Sequence, residues 1–554
     1  MQWTNSIRPF LIFWLLLNLV QAFFTGLMHD ESYYWFYAQD LDWGYFDHPP
    51  MIALFVKMGL WLPGELGVRL ITTLSSAATL WLIWETIGGK ELKLFLAMAM
   101  STLIIHVGGF LAVPDIPFMF FAALFFYFFK KYLDEDNWLT ILGLTIATVG
   151  MAYSKYQGIL VIGFAMLPNL KLLKRPSIWV LALVSALALV PHFIWQMEHG
   201  WPTFVYQFFE RSLGRWKWEF FLNYPLGQLL IFGPLVSFIL FPAAVRYKAQ
   251  SDFDKTMQWC FYGFFAFFLY QSFKMRVEPN WTVMAAVPLF YLAYHHVVKH
   301  PNKVKWVYKL LIPSLVLISF VRLIALVDIL PPNNSPLKEF HGWDEWAADI
   351  SELAGDKTTI FSNNFQHTSK YMFYSGKDAH SVNYTNYGGK HHDLMFEKEE
   401  ALQGQSVLFI KEARPDDSTA TQLGNIQRIK HQVINDFHYF NRIKIIPTER
   451  EYAIATDSTY EIAVEVQNLG SKPVDFTKYR DELSIEYALF WYGKPRFYKK
   501  AINDFPIKTI APGQSIPLKL KVFGPPEAGA HWRFKFAIKS SIGHGRNCDM
   551  IKVE

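Results

Sequence analysis

From residue 1 to about 330 the chain is a succession of apolar runs, each roughly 18–22 residues long and separated by short polar breaks. That is the length needed to cross a bilayer core. Spans are expected to start near Ile7, Gly67, Leu92, Asp115, Trp138, Tyr156, Ile178, Leu226, Thr256, Pro279 and Trp306, about eleven in all. Residues 1–27 carry one early basic residue, Arg8, and an apolar run longer than that of a signal peptide. His29, Asp30 and Glu31 follow directly, with no small-residue cleavage site, so this segment reads as a retained first span. Beyond Pro331 the pattern changes. Residues 331–450 mix short apolar strands ("TTIFSN", "SVLFI") with a helix-like "HTSKYMFYSG", which predicts a soluble α/β unit. Over 451–554 the period becomes two: "TYEIAVEV", "LSIEYALFW", "IPLKLKV" and "WRFKFAIK" alternate apolar and polar residues between turns. That alternation predicts an antiparallel β-sandwich. The expected architecture is a polytopic α-helical membrane domain (1–330), a soluble α/β domain (331–450) and a β-sandwich (451–554).

Charge adds sidedness. One set of short loops carries Lys90 and Lys93, Lys130 and Lys131, Lys171, Lys174 and Arg175, Arg246, Lys248 and Lys255, then Lys299, Lys303 and Lys305. These loops alternate with the others, so they should be cytoplasmic, with the remaining loops and the C-terminal region outside. A net charge of +5 over 554 residues leaves the chain without a nucleic-acid footprint, and no nucleic-acid partner is expected. The two cysteines are Cys260, inside an apolar span, and Cys548 near the C-terminus, so neither a disulfide nor a cysteine metal site is implied.

The outer loops break the charge bias. Lys155, Arg211, Arg215, Lys217, Lys274 and Arg276 stand where few cations are expected, and Asp30, Glu31, Asp47, Asp115 and Glu278 accompany them. Interfacial snorkelling accounts for any one of these. Acids and bases gathered on one face point instead to an anionic headgroup and a reaction at the interface. His29, Asp30 and Glu31 open an aromatic segment, "SYYWFYAQDL", that would lie along the membrane surface. Capping of that helix explains one of the two acids. In "FDHPPMIALFV" the two prolines suit a first helical turn, with Asp47 or His48 at its N-terminus and a phosphate seat at the free amides. Lys274 and Arg276, two apart, would project to one side of an extended segment. Asp115 lies between prolines at the mouth of a span, where a plain turn is the competing explanation.

"HDESYYWFYAQDLDWGYFDHPPMIALFV" resembles the first outer loop of the polyprenyl-phosphate-sugar-dependent transferases of glycosyltransferase family 39. These are relatives of the protein O-mannosyltransferases and lipid A aminoarabinose transferases, with the GT-C membrane fold. "VPDIPFMFF", "SKYQGILV", "PTFVYQFFERSLGR" and "KMRVEPNW" are similar to later markers in the same order, so the resemblance spans roughly 1–330. It implies a sugar donor carried on a polyprenyl phosphate and a bacterial inner-membrane location with the C-terminal domains periplasmic. It implies Asp30 as catalytic acid-base candidate, with Asp115 supporting the site and Asp47 matching the acid of the second motif. His48 stands where the aminoarabinose transferases have Lys, and Tyr33 where they have Arg. Their outer-loop His has no clear match in "ERSLGRWKWEFFLNYP", so no cofactor is required and a divalent metal is left open.

Sugar transfer from a phosphate leaving group needs a base for the acceptor hydroxyl and cations for the departing phosphate. Asp30 is the expected base, with Glu31 and Asp115 beside it as further catalytic candidates. Lys155, Arg211, Lys274 and Arg276 are expected at the phosphate, with His48 secondary. Asp47 and Glu278 complete the polar set, and Tyr33, Tyr34, Trp35, Trp43 and Tyr45 are expected to line sugar and prenyl grooves. A transporter or flippase of lipid-linked sugars is the rival reading. It would favour inverted repeats and mid-membrane charges over charges at the outer span ends. The sugar, the prenyl chain and the acceptor (glycan, lipid or protein) stay open.

Overall fold

A computed structural model describes residues 6–210, 216–329, 336–385, 388–414, 416–423, 426–501, 505–527 and 531–553. The chain packs as two compact units, one of residues 1–198 and 216–341, the other of 199–215 and 342–554.

The first unit is helical: α1 (Arg8–Phe24), α2 (His29–Gln39), α3 (Met51–Gly59), α4 (Gly64–Ile87), α5 (Leu92–Met100), α6 (Leu103–Val107), α7 (Asp115–Asp134), α8 (Trp138–Ser154), α9 (Gly158–Met166) and α10 (Pro176–Glu198). The short α11 (Pro202–Phe204) belongs to the second unit. The first unit resumes with α12 (Trp218–Ile231), α13 (Ser237–Arg246), α14 (Asp252–Ser272), α15 (Ala286–Val297) and α16 (Pro301–Leu326). The expected span starts fall in or within two residues of one of these helices, except Pro279, which opens a 3-10 stretch (Pro279–Ala285) leading into α15. Among the described residues, α4, α7, α10 and α16 are long and apolar enough to cross a membrane, and α1 with α2 pass the same test only as a pair bent by 89°. The other expected spans coincide with helices that are shorter, broken or less apolar. Local chemistry explains the breaks. Gly233, at φ +106, sits before Pro234 between α12 and α13. Past α9, Pro168 opens a 3-10 stretch, Leu167–Lys174.

The core of this unit is aromatic and small at once. Phe95, Phe118, Phe126, Phe129 and Phe290 are fully or nearly fully buried beside Ala122, Ala123, Ala147 and Ala286. Small residues let neighbouring helices approach where lipid supplies no hydrophobic drive. Gly143 and Gly150, seven residues apart on α8, show it directly: a Cβ there would meet Phe128 at 2.5 Å and Phe121 at 2.3 Å.

In the second unit, β1 (Thr358–Ser362), β2 (Ala379–Val382), β3 (Val407–Glu412), β4 (Thr421–Leu423) and β5 (Gln427–Ile434) form a sheet of order β2-β1-β3-β5-β4. Its first three strands are parallel; α17 (Trp343–Ala354) leads into β1, and α18 (Phe365–Ser375) and α19 (Phe396–Leu402) make the β1–β2 and β2–β3 connections in an α/β arrangement. The sandwich then uses β6 (Ile443–Pro447), β7 (Glu451–Tyr452), β8 (Thr459–Asn468), β9 (Val474–Asp475), β10 (Ser484–Trp491), β11 (Lys494–Lys500), β12 (Thr509–Ile510), β13 (Ser515–Phe523), β14 (Trp532–Lys539) and β15 (Ile551–Val553). Its sheets run β11-β10-β14-β15-β7 and β13-β8-β6, with a small β12-β9 pair. Ile462, Val464 and Val466 from one sheet pack with Tyr487, Leu489, Phe534 and Phe536 from the other, the inward half of the two-residue period. Pairing of Ile443–Pro447 with β8 draws the sandwich boundary upstream of residue 451.

Candidate active site

The two acids that open α2 are built into different surroundings. Met28 precedes the helix in extended backbone, and its amide donates to Glu31 Oε2 at 2.8 Å, so Glu31 is the capping acid. Glu31 also takes Arg69 of α4 in a fork, Nε to Oε1 at 2.7 Å and Nη2 to Oε2 at 2.5 Å, with both side chains fully buried. The amide of Ala112 donates to Oε1 at 2.7 Å. Arg69 spends its remaining donors on the carbonyls of Ala22, Thr25 and Gly26, at 3.1, 2.5 and 2.7 Å. This clamp fixes the bend between α1 and α2. Its geometry gives Glu31 a positioning role rather than the catalytic one expected for it, because every lone pair that a substrate proton would need is engaged.

Asp30, one residue earlier, is half-buried, whereas Glu31, Asp47 and Asp115 are buried. Asp47 accepts from Tyr37 Oη at 2.5 Å. Neither Asp47 nor His48 caps α3, whose N-cap is Pro50; His48 Nε2 instead lies 3.3 Å from Tyr34 Oη. At the mouth of α7, Asp115 Oδ1 accepts from Lys155 Nζ at 2.9 Å and Oδ2 from Asn280 Nδ2 at 3.1 Å. Lys155 is the C-cap of α8, and Asn280 lies on the 3-10 turn Pro279–Ala285, so three segments of the chain meet on one carboxylate. Tyr34 sits among the acids. Burial pushes its phenol well above the ordinary value, and the charges of Asp30, Asp47 and Asp115 push it further. The phenol therefore stays protonated and can donate.

The remaining expected residues are arranged differently. Tyr33 is buried against Tyr37, with ring centroids 4.5 Å apart, and Tyr37 stacks on Tyr45 at 4.1 Å, so this aromatic row builds the loop's interior. Trp43 is exposed. Lys274 and Arg276 are both exposed. A turn, with the Lys274 amide bonded to Gln271 O, replaces the extended run expected at that point. Arg276 pairs with Glu278 at 3.0 Å, and Lys274 lies 4.7 Å over the Tyr270 ring. Arg211 lies outside the described residues. Among the described residues no three His, Cys, Asp or Glu side chains are placed to hold a metal ion.

Several contributors escape a sequence reading. Asp42 of the first loop accepts from Trp195 Nε1 at 2.5 Å, and His192 Nδ1 lies 2.7 Å from Trp43 O, both tying the loop to α10. Gly44 is where that loop meets Trp195, since a Cβ there would stand 2.4 Å from the indole. Arg69 carried one signal, an arginine inside an apolar helix. Asn280 lay within "KMRVEPNW" without standing out.

Residues 47–195 match the family described as dolichyl-phosphate-mannose-protein mannosyltransferase. The lipid A galacturonosyltransferase RgtD of Rhizobium johnstonii is 24% identical over 474 residues, 79% of this chain and 93% of that protein. ArnT from Cupriavidus metallidurans in the apo state shares the fold with a TM-score of 0.51 at 14% identity, over 76% of this chain and 98% of that one. The same protein bound to undecaprenyl phosphate gives 0.52 at 14%, over 77% and 97%. Over residues 47–195 the chain is therefore similar to that family, and its fold is similar to that of ArnT, in keeping with the resemblance carried by the 28–66 loop.

Proposed function

We propose that the protein transfers a sugar from a polyprenyl-phosphate donor to a lipid A-like glycolipid at the outer face of a bacterial inner membrane, with Asp30 as the base. The observation that carries this is the gathering of Asp30 and Asp47 of the first loop and Asp115 of α7 around Tyr34, with Lys155 against Asp115. The name of the relative RgtD supports the glycolipid acceptor. In the reaction Asp30 takes the proton of the acceptor hydroxyl. The acceptor oxygen bonds to the anomeric carbon as its bond to the phosphate oxygen breaks. The electron pair leaves with the polyprenyl phosphate. Lys155 supplies positive charge near that group, and Tyr34 supplies a proton donor. The test is purified protein with a radiolabelled polyprenyl-phosphate sugar and lipid A. Labelled lipid A supports the proposal. Label that moves only to a protein or glycan acceptor overturns the acceptor assignment.

Lys274 and Arg276 form the rim of this site in our reading. Their exposure, with Arg276 held by Glu278, reduces what either can contribute, since solvent-screened pairs are worth about 0–1 kcal/mol. Alanine at either position should raise donor KM by about fivefold or less and leave acceptor KM unchanged. Steady-state KM values for both substrates on one preparation check this. A larger rise in acceptor KM would place the two cations at the acceptor instead.

The alternation of basic loops supports a periplasmic C-terminal region. Ser515 is exposed, and both native cysteines are buried, so Ser515→Cys gives a clean accessibility probe. In spheroplasts a membrane-impermeant maleimide should label it without permeabilisation. Labelling only after the membrane is opened would reverse the orientation.

A further inference from the structure

Arg322 lies near the end of α16 that follows the span, the end at the outer face in the proposed orientation. Its carbonyl accepts from Gln21 Nε2 at 3.3 Å, and its Nε donates to Gln21 Oε1 at 3.3 Å. Nη1 is 3.5 Å from His106 Nδ1, and the guanidinium stands 5.5 Å from the Phe110 ring centroid. Nη2 is buried and has no hydrogen-bond partner among the described residues. His106 is neutral in this arrangement: its Nε2 lies 3.0 Å from Met100 O and must donate there, leaving Nδ1 as the acceptor toward Arg322. Among the described residues, the polar contacts of Arg322 are therefore all with neutral groups.

A guanidinium inside a membrane domain is expensive unless a counter-ion offsets it. Arg69 shows how this fold handles the problem with its own residues: a fully buried bidentate carboxylate and three carbonyls. Arg69 stands 5.7 Å from the same Phe110 ring, so two cations flank one phenyl group and Glu31 serves only the first. Arg322 instead has two bonds at the long limit of hydrogen-bond geometry, which hold it loosely.

We infer that Arg322 is an anion-binding residue whose partner is a lipid phosphate entering at the outer interface, separate from the carboxylate cluster around Tyr34. Nη2 is enclosed in this conformation, while the residue as a whole is half-buried. An arriving phosphate would exchange the weak Gln21 and His106 contacts for charge-assisted bonds to Nη2 and to the freed Nη1 and Nε. Planar guanidinium geometry suits two phosphate oxygens, and basic sites between membrane helices take such headgroups. Two sources offer this chemistry: an anionic phospholipid of the bilayer and the phosphate of a lipid-linked substrate.

Native mass spectrometry of the full chain in detergent tests the inference, with phosphatidylglycerol, diacylglycerol of the same tails, and undecaprenyl phosphate as probes. The wild type should retain phosphatidylglycerol over diacylglycerol, and Arg322→Gln should lose about tenfold of that preference. Arg322→Lys, which keeps the charge without the fork, should lie between. Loss confined to undecaprenyl phosphate assigns the phosphate to a substrate lipid; loss with phosphatidylglycerol assigns it to the bilayer. The inference is overturned if wild-type protein holds neither phosphate lipid better than diacylglycerol. It is also overturned if a monodisperse Arg322→Gln protein keeps the full preference. Should Arg322→Gln not fold, the wild-type comparison and the Arg322→Lys protein still decide.

Discussion

Asp30→Asn should lower kcat for sugar transfer by about 10²–10⁴-fold, the range expected for loss of a general base, while the protein still folds and inserts. Asparagine keeps the volume and the hydrogen-bonding reach of the side chain but cannot accept the acceptor's proton. The choice of Asp30 comes from the resemblance of the first loop to the family 39 transferases, and the surroundings of the four nearby acids agree with it. Glu31 is saturated by Arg69 and two backbone amides. Asp115 has one oxygen on Lys155 and the other on Asn280, and Asp47 accepts from Tyr37. Asp30 is the acid of the four that is not buried. Donor KM should hold in the variant, because the donor phosphate interacts with cations rather than with this carboxylate. Single-turnover measurement with bound labelled donor isolates the chemical step. Turnover close to wild type would remove Asp30 from the reaction and move the base to Asp47 or Asp115.

How much of this was legible depends on what each signal measures. Apolar runs are a local property, and helices lie at or near most of the expected starts. Among the described residues, however, only α4, α7, α10 and α16, with α1 and α2 as a bent pair, are long and apolar enough to cross a membrane. Helix breaks near Thr102, Pro168 and Gly233 were less visible, because a hydrophobic run continues through them while the backbone does not. The two-residue period of "TYEIAVEV" and "WRFKFAIK" gave the sandwich strands, since one face of each must be apolar. "IKIIP" went to the preceding domain because its partner, β8, is distant in sequence. In the candidate site, the acids and cations could be singled out as a group from charge alone. Their division of labour could not. Asp30 and Glu31 are neighbours with one carboxylate each, and only the position of Arg69, thirty-eight residues on from Glu31, separates a clamp from a candidate base. Lys274 and Arg276 illustrate the opposite error. Their spacing was read on an extended strand, whereas a turn after α14 and the nearby Glu278 decide where they point.

That clamp leads to the largest expected loss of stability. Arg69→Met should destabilise the helical unit by about 3–5 kcal/mol, the cost of leaving the partner of a buried ion pair uncompensated. Methionine roughly preserves the length of the aliphatic stem, so the loss reports the guanidinium and its five hydrogen bonds rather than a cavity. The carbonyls of Ala22, Thr25 and Gly26 would lose their donor together with Glu31. All of them lie at the corner where α1 turns by 89° into α2. Removing both charges, as Glu31→Gln with Arg69→Met, should recover part of the loss, because no buried charge is then left alone. A double-mutant cycle on thermal unfolding in detergent measures this coupling. The same corner sets the direction of Asp30, so Arg69→Met should also reduce turnover in the fraction that stays folded. The conservative Arg69→Lys keeps the charge but not the fork, and should retain more stability than activity. If Arg69→Met unfolds at the wild-type temperature, the ion pair is not what holds the bend. The backbone bonds of Thr25 to Gln21 and of Ser32 to Met28 would then have to carry it.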